Sequence, residues 1–225
     1  MKRHHLYSIS FLVSLAFVFS VTKESGNSEN KNKTFFSASR VNASHFSETN
    51  NYPSDVAIKW MDMQLELIRT SSPFIGGLPP SRPFAYAGIA LYESVVPGMP
   101  GYRSLSVQLT RMPAMPKIVQ GQAYHWPTCA NAALAVINRN FFPNASDANK
   151  AAIEALENEL NTAYQSQTDN ATFQRSANFG KAIAKLIFDW SKSDGYADNI
   201  NKPYTAPAGP GLWAPTPPGF LPAFG

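Results

Sequence analysis

The sequence predicts an all-α protein of about five helices in a bundle-like array, followed by an extended, proline-rich C-terminal tail. Three observations lead there. Apolar residues recur at helical spacing in five separate stretches. Proline, glycine and capping residues fall between those stretches. No two strand-like runs are joined by a hairpin turn.

The first helix is expected from Asp55, read as its cap, to about Thr70, with Val56, Trp60, Met63, Leu67 and Ile68 along one side. Gly76, Gly77, Pro79 and Pro80 break it. Ser81 opens the second, with Pro83 tolerated in the first turn, and Pro97-Gly98 stops it. Residues 97–121 fit no helix. Leu105, Val107 and Leu109 alternate with polar residues, which predicts an extended segment lying on the helices. A lone strand would leave its ladder groups unpaired. The third helix spans about Pro127 to Phe141, where Ala130, Ala132, Ala133 and Ala135 permit close helix approach. Ser146 or Asp147 caps a fourth through about Gln165. Asn170 or Thr172 opens a fifth, with a stripe of Phe173, Ala177, Gly180, Ala184 and Ile187, closed by Asp194-Gly195.

Four segments follow. Residues 1–20 read as a signal peptide: Lys2, Arg3, His4 and His5 precede a short apolar run from Leu6 to Val21, with Val18 and Ser20 suited to peptidase cleavage. An uncleaved anchor is the alternative. Residues 21–52 are rich in Asn, Ser, Lys and Thr and read as a disordered tether. Residues 53–200 form the helical domain. Residues 201–225 hold seven prolines interleaved with Tyr204, Trp213, Phe220 and Phe224, an extended segment that wants a surface to lie on. The expected location is exported, periplasmic or extracellular.

Charge excludes a nucleic-acid role. The formal charge is +4, but without Lys2 and Arg3 the 19 basic residues become 17 against 15 acidic ones. Cys129, the single cysteine, cannot form an internal disulfide and reads as a buried structural thiol.

Candidate chemistry is sparse. His45 lies in the tether. His125 precedes Trp126-Pro127 with no ligand partner at metal spacing and reads as a structural hydrogen-bonding group. Asp62 and Glu66 share a helix face, as an acid–base pair would, but also as any solvated face does. Glu93 follows apolar residues and needs a partner, with Arg82 or Arg103 as candidates. Glu154, Glu157 and Glu159 belong to the outer side of the fourth helix. No nucleophile elbow, phosphate loop, zinc motif or dinucleotide fingerprint occurs.

Four stretches carry a resemblance. They are Ser81-Arg82-Pro83-Phe84-Ala85-Tyr86-Ala87-Gly88-Ile89-Ala90-Leu91-Tyr92-Glu93-Ser94-Val95; Tyr124-His125-Trp126-Pro127 with Ala130-Asn131-Ala132-Ala133-Leu134; Arg175-Ser176, Phe179-Gly180, Ile187-Phe188-Asp189-Trp190-Ser191 and Asp194-Gly195; and Gly211-Leu212-Trp213-Ala214-Pro215-Thr216-Pro217-Pro218-Gly219-Phe220. In order and spacing, over about residues 53–225, this resembles the amino-terminal half of a bacterial vanadium-dependent haloperoxidase-like protein of the type 2 phosphatidic acid phosphatase (PAP2) superfamily.

The resemblance implies a helical fold that holds phosphate or vanadate with a Lys, Arg residues, a Ser-Gly-His segment and a second His. Such donors stabilise a charged trigonal-bipyramidal centre. It also implies that this set lies in the family's carboxy-terminal half. This sequence has no Lys-x6-Arg-Pro, no Ser-Gly-His and no Ser-Arg-x5-His, and Arg82-Pro83 has no lysine at the required distance. No catalytic, cofactor-binding or metal residue carries over.

The expectation is a non-catalytic helical portion of an exported phosphatase- or haloperoxidase-like protein, inactive as this chain. Vanadate or phosphate is expected only in a full-length parent. The expected partner is the missing C-terminal catalytic half or a partner subunit, with a homo-oligomer as a further option. The rival is a free-standing helical binding or interaction module outside the inner membrane.

Overall fold

Small residues decide which helix lies at the centre. In the computed structural model, which describes residues 47–70, 81–199, 202–203 and 205–220, the Ala-rich stretch forms helix α3, Trp126–Phe141. Its residues from Trp126 to Ala135, with Ile137 and Asn138, are all buried. A helix apolar all round is stable only when neighbours cover every side. Here α1 (Asp55–Thr70), α2 (Ser81–Val95), α4 (Asp147–Gln165) and α5 (Asn170–Ser191) surround it. A one-turn helix, α6 (Tyr196–Asn199), follows. All described residues belong to the unit spanning Val41–Gly225, and none forms a strand. Among them, no helix is long and apolar enough to cross a membrane.

Helices α3 and α5 come close at Gly180. A Cβ there would lie 2.1 Å from the Cys129 carbonyl oxygen and 3.1 Å from the Ala133 nitrogen. Glycine is what lets the two backbones meet. Around this seam Cys129, Ala133, Ile137, Ile183, Ala184 and Ile187 are fully buried.

The termini follow capping rules, with one difference from expectation. α1 begins at Asp55, so Ser54 holds the preceding position and its carbonyl accepts from the amides of Ala57 and Ile58. Asp55 instead sits in the first turn, where its charge complements the helix dipole. α5 is capped by Asp169, whose carboxylate accepts from the Thr172 amide at 2.9 Å. That bond holds the Asp169 pKa below the ordinary carboxylate range. Ser146 caps α4, accepting from the Asn149 amide.

The segment between α2 and α3 differs most. Leu105–Val107 is a 3-10 turn and not part of an extended segment. It has no ladder because side chains from the helices satisfy its backbone. The Leu105 amide donates to Glu93 Oε1 at 2.6 Å, Tyr92 donates to the Arg103 carbonyl at 2.8 Å, and Trp190 Nε1 donates to the Thr110 carbonyl at 3.2 Å. Arg175 holds the Ala123 carbonyl at 2.7 Å. Met112 is buried, and Leu105, Leu109, Met115 and Ile118 pack on the core, so the segment does lie on the helices.

Fixed contacts also begin before residue 53. Thr49 Oγ1 donates to the Val95 carbonyl at 2.8 Å, and Trp126 Nε1 donates to the Ser47 carbonyl at 2.6 Å. Residues 47–52 therefore pack on α2 and α3. The expected signal peptide, His45, most of the tether and the Gly76–Pro80 break lie outside the described residues. Tail residues 205–220 form no helix or strand, and Leu212, Trp213 and Phe220 are exposed.

Candidate functional site

His125 stands at the entrance to α3 because Pro127 can occupy only the first turn, leaving His125 in the cap position with extended backbone. Its amide donates to Ser176 Oγ at 2.9 Å and its carbonyl accepts from the Cys129 amide. The residue is 3% exposed. Nδ1 shares a hydrogen bond with Thr128 Oγ1 at 2.7 Å, and the rings of Tyr52 and Tyr164 meet it edge-on at 5.1 and 5.2 Å. Nε2 is buried without a hydrogen-bond partner.

Burial lowers the His125 pKa, opposed in part by the Gln167 side chain. Burial, then the Asp55 charge, pushes the Tyr164 phenol up to about 12. His125 thus stays neutral in the fold while it binds a proton readily in the unfolded chain. The linked stability is complete above the unfolded histidine pKa of about 6.5 and is lost as pH falls towards the lower folded value. Denaturant unfolding at a series of pH values should show stability falling below about pH 6.5, with this group contributing at most about 1.4 kcal/mol per pH unit. His125→Gln should flatten that portion of the curve.

Glu93 is 1% exposed but meets neither expected arginine. Oε1 takes the Leu105 amide, and Oε2 is buried without a partner. Arg82 instead donates to Asp194 at 2.7 Å and to the Ser191 carbonyl at 2.9 Å. Its guanidinium also lies over the rings of Tyr86, Phe141 and Tyr196. Burial works to raise the Asp194 carboxyl, but bonds from Arg82 and the Tyr196 amide overcome it and hold it below its usual range. Burial and the bond to Asp194 push the Tyr86 phenol up to about 12. This knot ties α2 to the C-terminal end of α5.

The remaining candidates separate. Asp62 is exposed, and Glu66 accepts from Arg69 on the same helix. Glu154 and Glu159 are exposed on α4. Glu157 turns inward to pair with Arg139 and is not on the outer side. Cys129 is fully buried, and burial pushes its thiol pKa up, away from reactivity.

Sequence reasoning missed a groove. Tyr52, Val56, Leu91, Tyr92, Met99 and Trp126 line an apolar opening of about 350 Å³ between the 47–57 segment, α2 and α3. Its one legible signal was Tyr52-Pro53 ahead of α1, an aromatic that a solvated tether would not need.

A vanadate- or phosphate-like oxyanion needs several cationic donors aimed at one point. The described residues do not fit that need. Arg82 is engaged by Asp194, Arg139 by Glu157, and Arg175 by the Ala123 carbonyl and the Tyr124 ring. These sit on different helices, and the groups found around His125 are hydroxyls, aromatic rings and the Gln167 side-chain amide, none of them cationic. Among the described residues, no three His, Cys, Asp or Glu side chains group as metal ligands.

No family model and no curated protein matches the sequence. Among solved structures, a bacterial vanadium-dependent iodoperoxidase superposes with a TM-score of 0.61 at 26% identity, over 75% of this chain and 39% of that chain. This chain therefore spans well under half the length of that neighbour. The helical array described above has a haloperoxidase-like fold.

Proposed function

We propose that this chain is the non-catalytic, N-terminal helical portion of an exported protein of the haloperoxidase-like, PAP2-superfamily kind, inactive by itself. The observation that carries the reading is the commitment of Arg82, Arg139 and Arg175. Each serves helix packing or loop pinning, where an oxyanion enzyme would aim such groups at its ligand. The match to part of an iodoperoxidase supports the fold side of the reading. Vanadate or phosphate then belongs to a full-length parent, and the partner is a catalytic half or a subunit that supplies it. Phosphate-ester hydrolysis and halide oxidation both remain within the parent's range. Nucleic acid is not a partner in this reading.

The test is direct. The purified chain, supplied with vanadate, should give no turnover in phosphatase and bromoperoxidase assays. Turnover that tracks the protein through purification and falls with a His125 substitution would defeat the reading.

The apolar groove favours a second reading, a free-standing helical binding module. That reading expects a stable monomer or dimer whose groove takes an apolar ligand, with Tyr92 or Trp126 fluorescence reporting it.

A further inference from the structure

Helix α1 carries two apolar faces. Val56, Trp60, Gln64 and Leu67 are buried on one. On the opposite face Ile58, Met61 and Leu65 recur at helical spacing and are 55%, 49% and 53% exposed. Half-buried Ile68 extends the strip. A helix packed on one side normally turns a polar face to water. Three large neighbouring side chains left in solvent therefore mark a surface for contact.

The border of the strip says what covers it. Going round α1 from the strip towards α4, Arg69 comes first, then Asp62, Asp55, Glu66 and Lys59, three carboxylates against two cations. Lys59 is drawn across to Glu159 of α4 at 2.5 Å, and Glu66 is paired with Arg69. Asp55 and Asp62 form no ion pair among the described residues. The edge is acidic. An antiparallel two-fold pairing of α1 with a second copy would set this edge against itself, which disfavours self-association in that arrangement.

We propose that the Ile58–Met61–Leu65 strip is the docking surface for an amphipathic partner helix whose apolar face is edged by lysine or arginine. The inference deepens the scaffold reading by naming where a complementary helical part seats, and it rests on that reading. The apolar strip supplies the contact, and Asp62 selects the charge of the partner's border.

The experiment titrates the full chain into a fluorescein-labelled amphipathic helical peptide with a leucine face edged by lysine, and into the same peptide edged by glutamate. Fluorescence polarisation should show the lysine-edged peptide binding at least about tenfold more tightly, with the difference shrinking at high salt. Asp62→Lys should erase or reverse the preference. The Ile58→Ser, Leu65→Ser pair should remove binding of both peptides and keep the circular dichroism spectrum, with Tm lowered only slightly, because about half of each side chain is already in solvent. Equal binding of the two peptides, no binding, or indifference to the serine pair would overturn the proposal. So would a dimer that the serine pair dissociates, or protection of Met61 from peroxide in the isolated chain, which would mean that the strip is already covered. Turnover by the chain in the enzyme assays would instead sink the scaffold reading and leave this titration's outcome intact.

Discussion

Gly180→Ala is expected to destabilise the fold by about 3 kcal/mol, although the substitution adds a single methyl group. The added carbon would meet the Cys129 carbonyl oxygen at 2.1 Å and the Cys129 carbonyl carbon at 3.0 Å. Both are backbone atoms inside a helix and cannot turn aside. Relief requires α3 and α5 to part by roughly 1 Å, which forfeits a quarter to a half of the dispersion attraction along the seam. For a domain of this size the loss should appear as a Tm lower by about 6 to 12 °C. Gly88→Ala is the control. Nothing lies within 4 Å of its added carbon, on the exposed side of α2. Alanine's better helix propensity should make that variant neutral or more stable by up to about 1 kcal/mol. If both variants behave alike, the α3–α5 approach is not as close as described.

Trp60→Ala should cost about 4–5 kcal/mol, near the upper end for large-to-small core changes, and lower Tm by about 10 to 20 °C. Trp60 is 1% exposed, and its indole Nε1 donates to Asn131 Oδ1 at 2.8 Å. Asn131 in turn donates from Nδ2 to the Glu157 carbonyl at 3.1 Å and to Asn161 Oδ1 at 3.0 Å. One tryptophan therefore fills the α1–α3 contact and anchors a polar chain that reaches α4. Alanine removes the ring and leaves a buried acceptor unpaired, so cavity and desolvation losses add. Trp60→Phe separates them. It keeps most of the volume and should cost only about 1–3 kcal/mol, the part owed to the lost indole donor. A phenylalanine variant as unstable as the alanine one would show that the hydrogen-bond chain matters more than the packing.

The helices were legible because their limits are written in local chemistry. Pro97-Gly98 after α2, Pro143 after α3 and Ser146 before α4 act on backbone groups within a turn of themselves. α1 and α2 accordingly span the expected residues. The 99–124 segment was not legible, because the groups that satisfy its backbone come from elsewhere: Glu93 and Tyr92 on α2, Arg175 and Trp190 on α5. Alternating Leu105, Val107 and Leu109 looks strand-like only if a neighbouring strand is assumed. Glu93 was rightly marked as a carboxylate in need of a partner. The partner is a backbone amide, which leaves no mark in a sequence. Arg82 was read as a candidate for Glu93, while its true partner, Asp194, is brought near by the α2–α5 packing. Composition placed residues 47–52 in a tether, yet Trp126 bonds the Ser47 carbonyl and the Tyr52 ring meets His125.

Arg82, Arg139 and Arg175 hold helices and a loop together and do not grip a tetrahedral anion. Calorimetric titration of the intact chain with orthovanadate tests this most directly. The expected result is no saturable heat up to about 1 mM ligand. Stoichiometric binding at micromolar affinity, abolished by His125→Ala or Arg175→Ala in a variant that still folds, would contradict it.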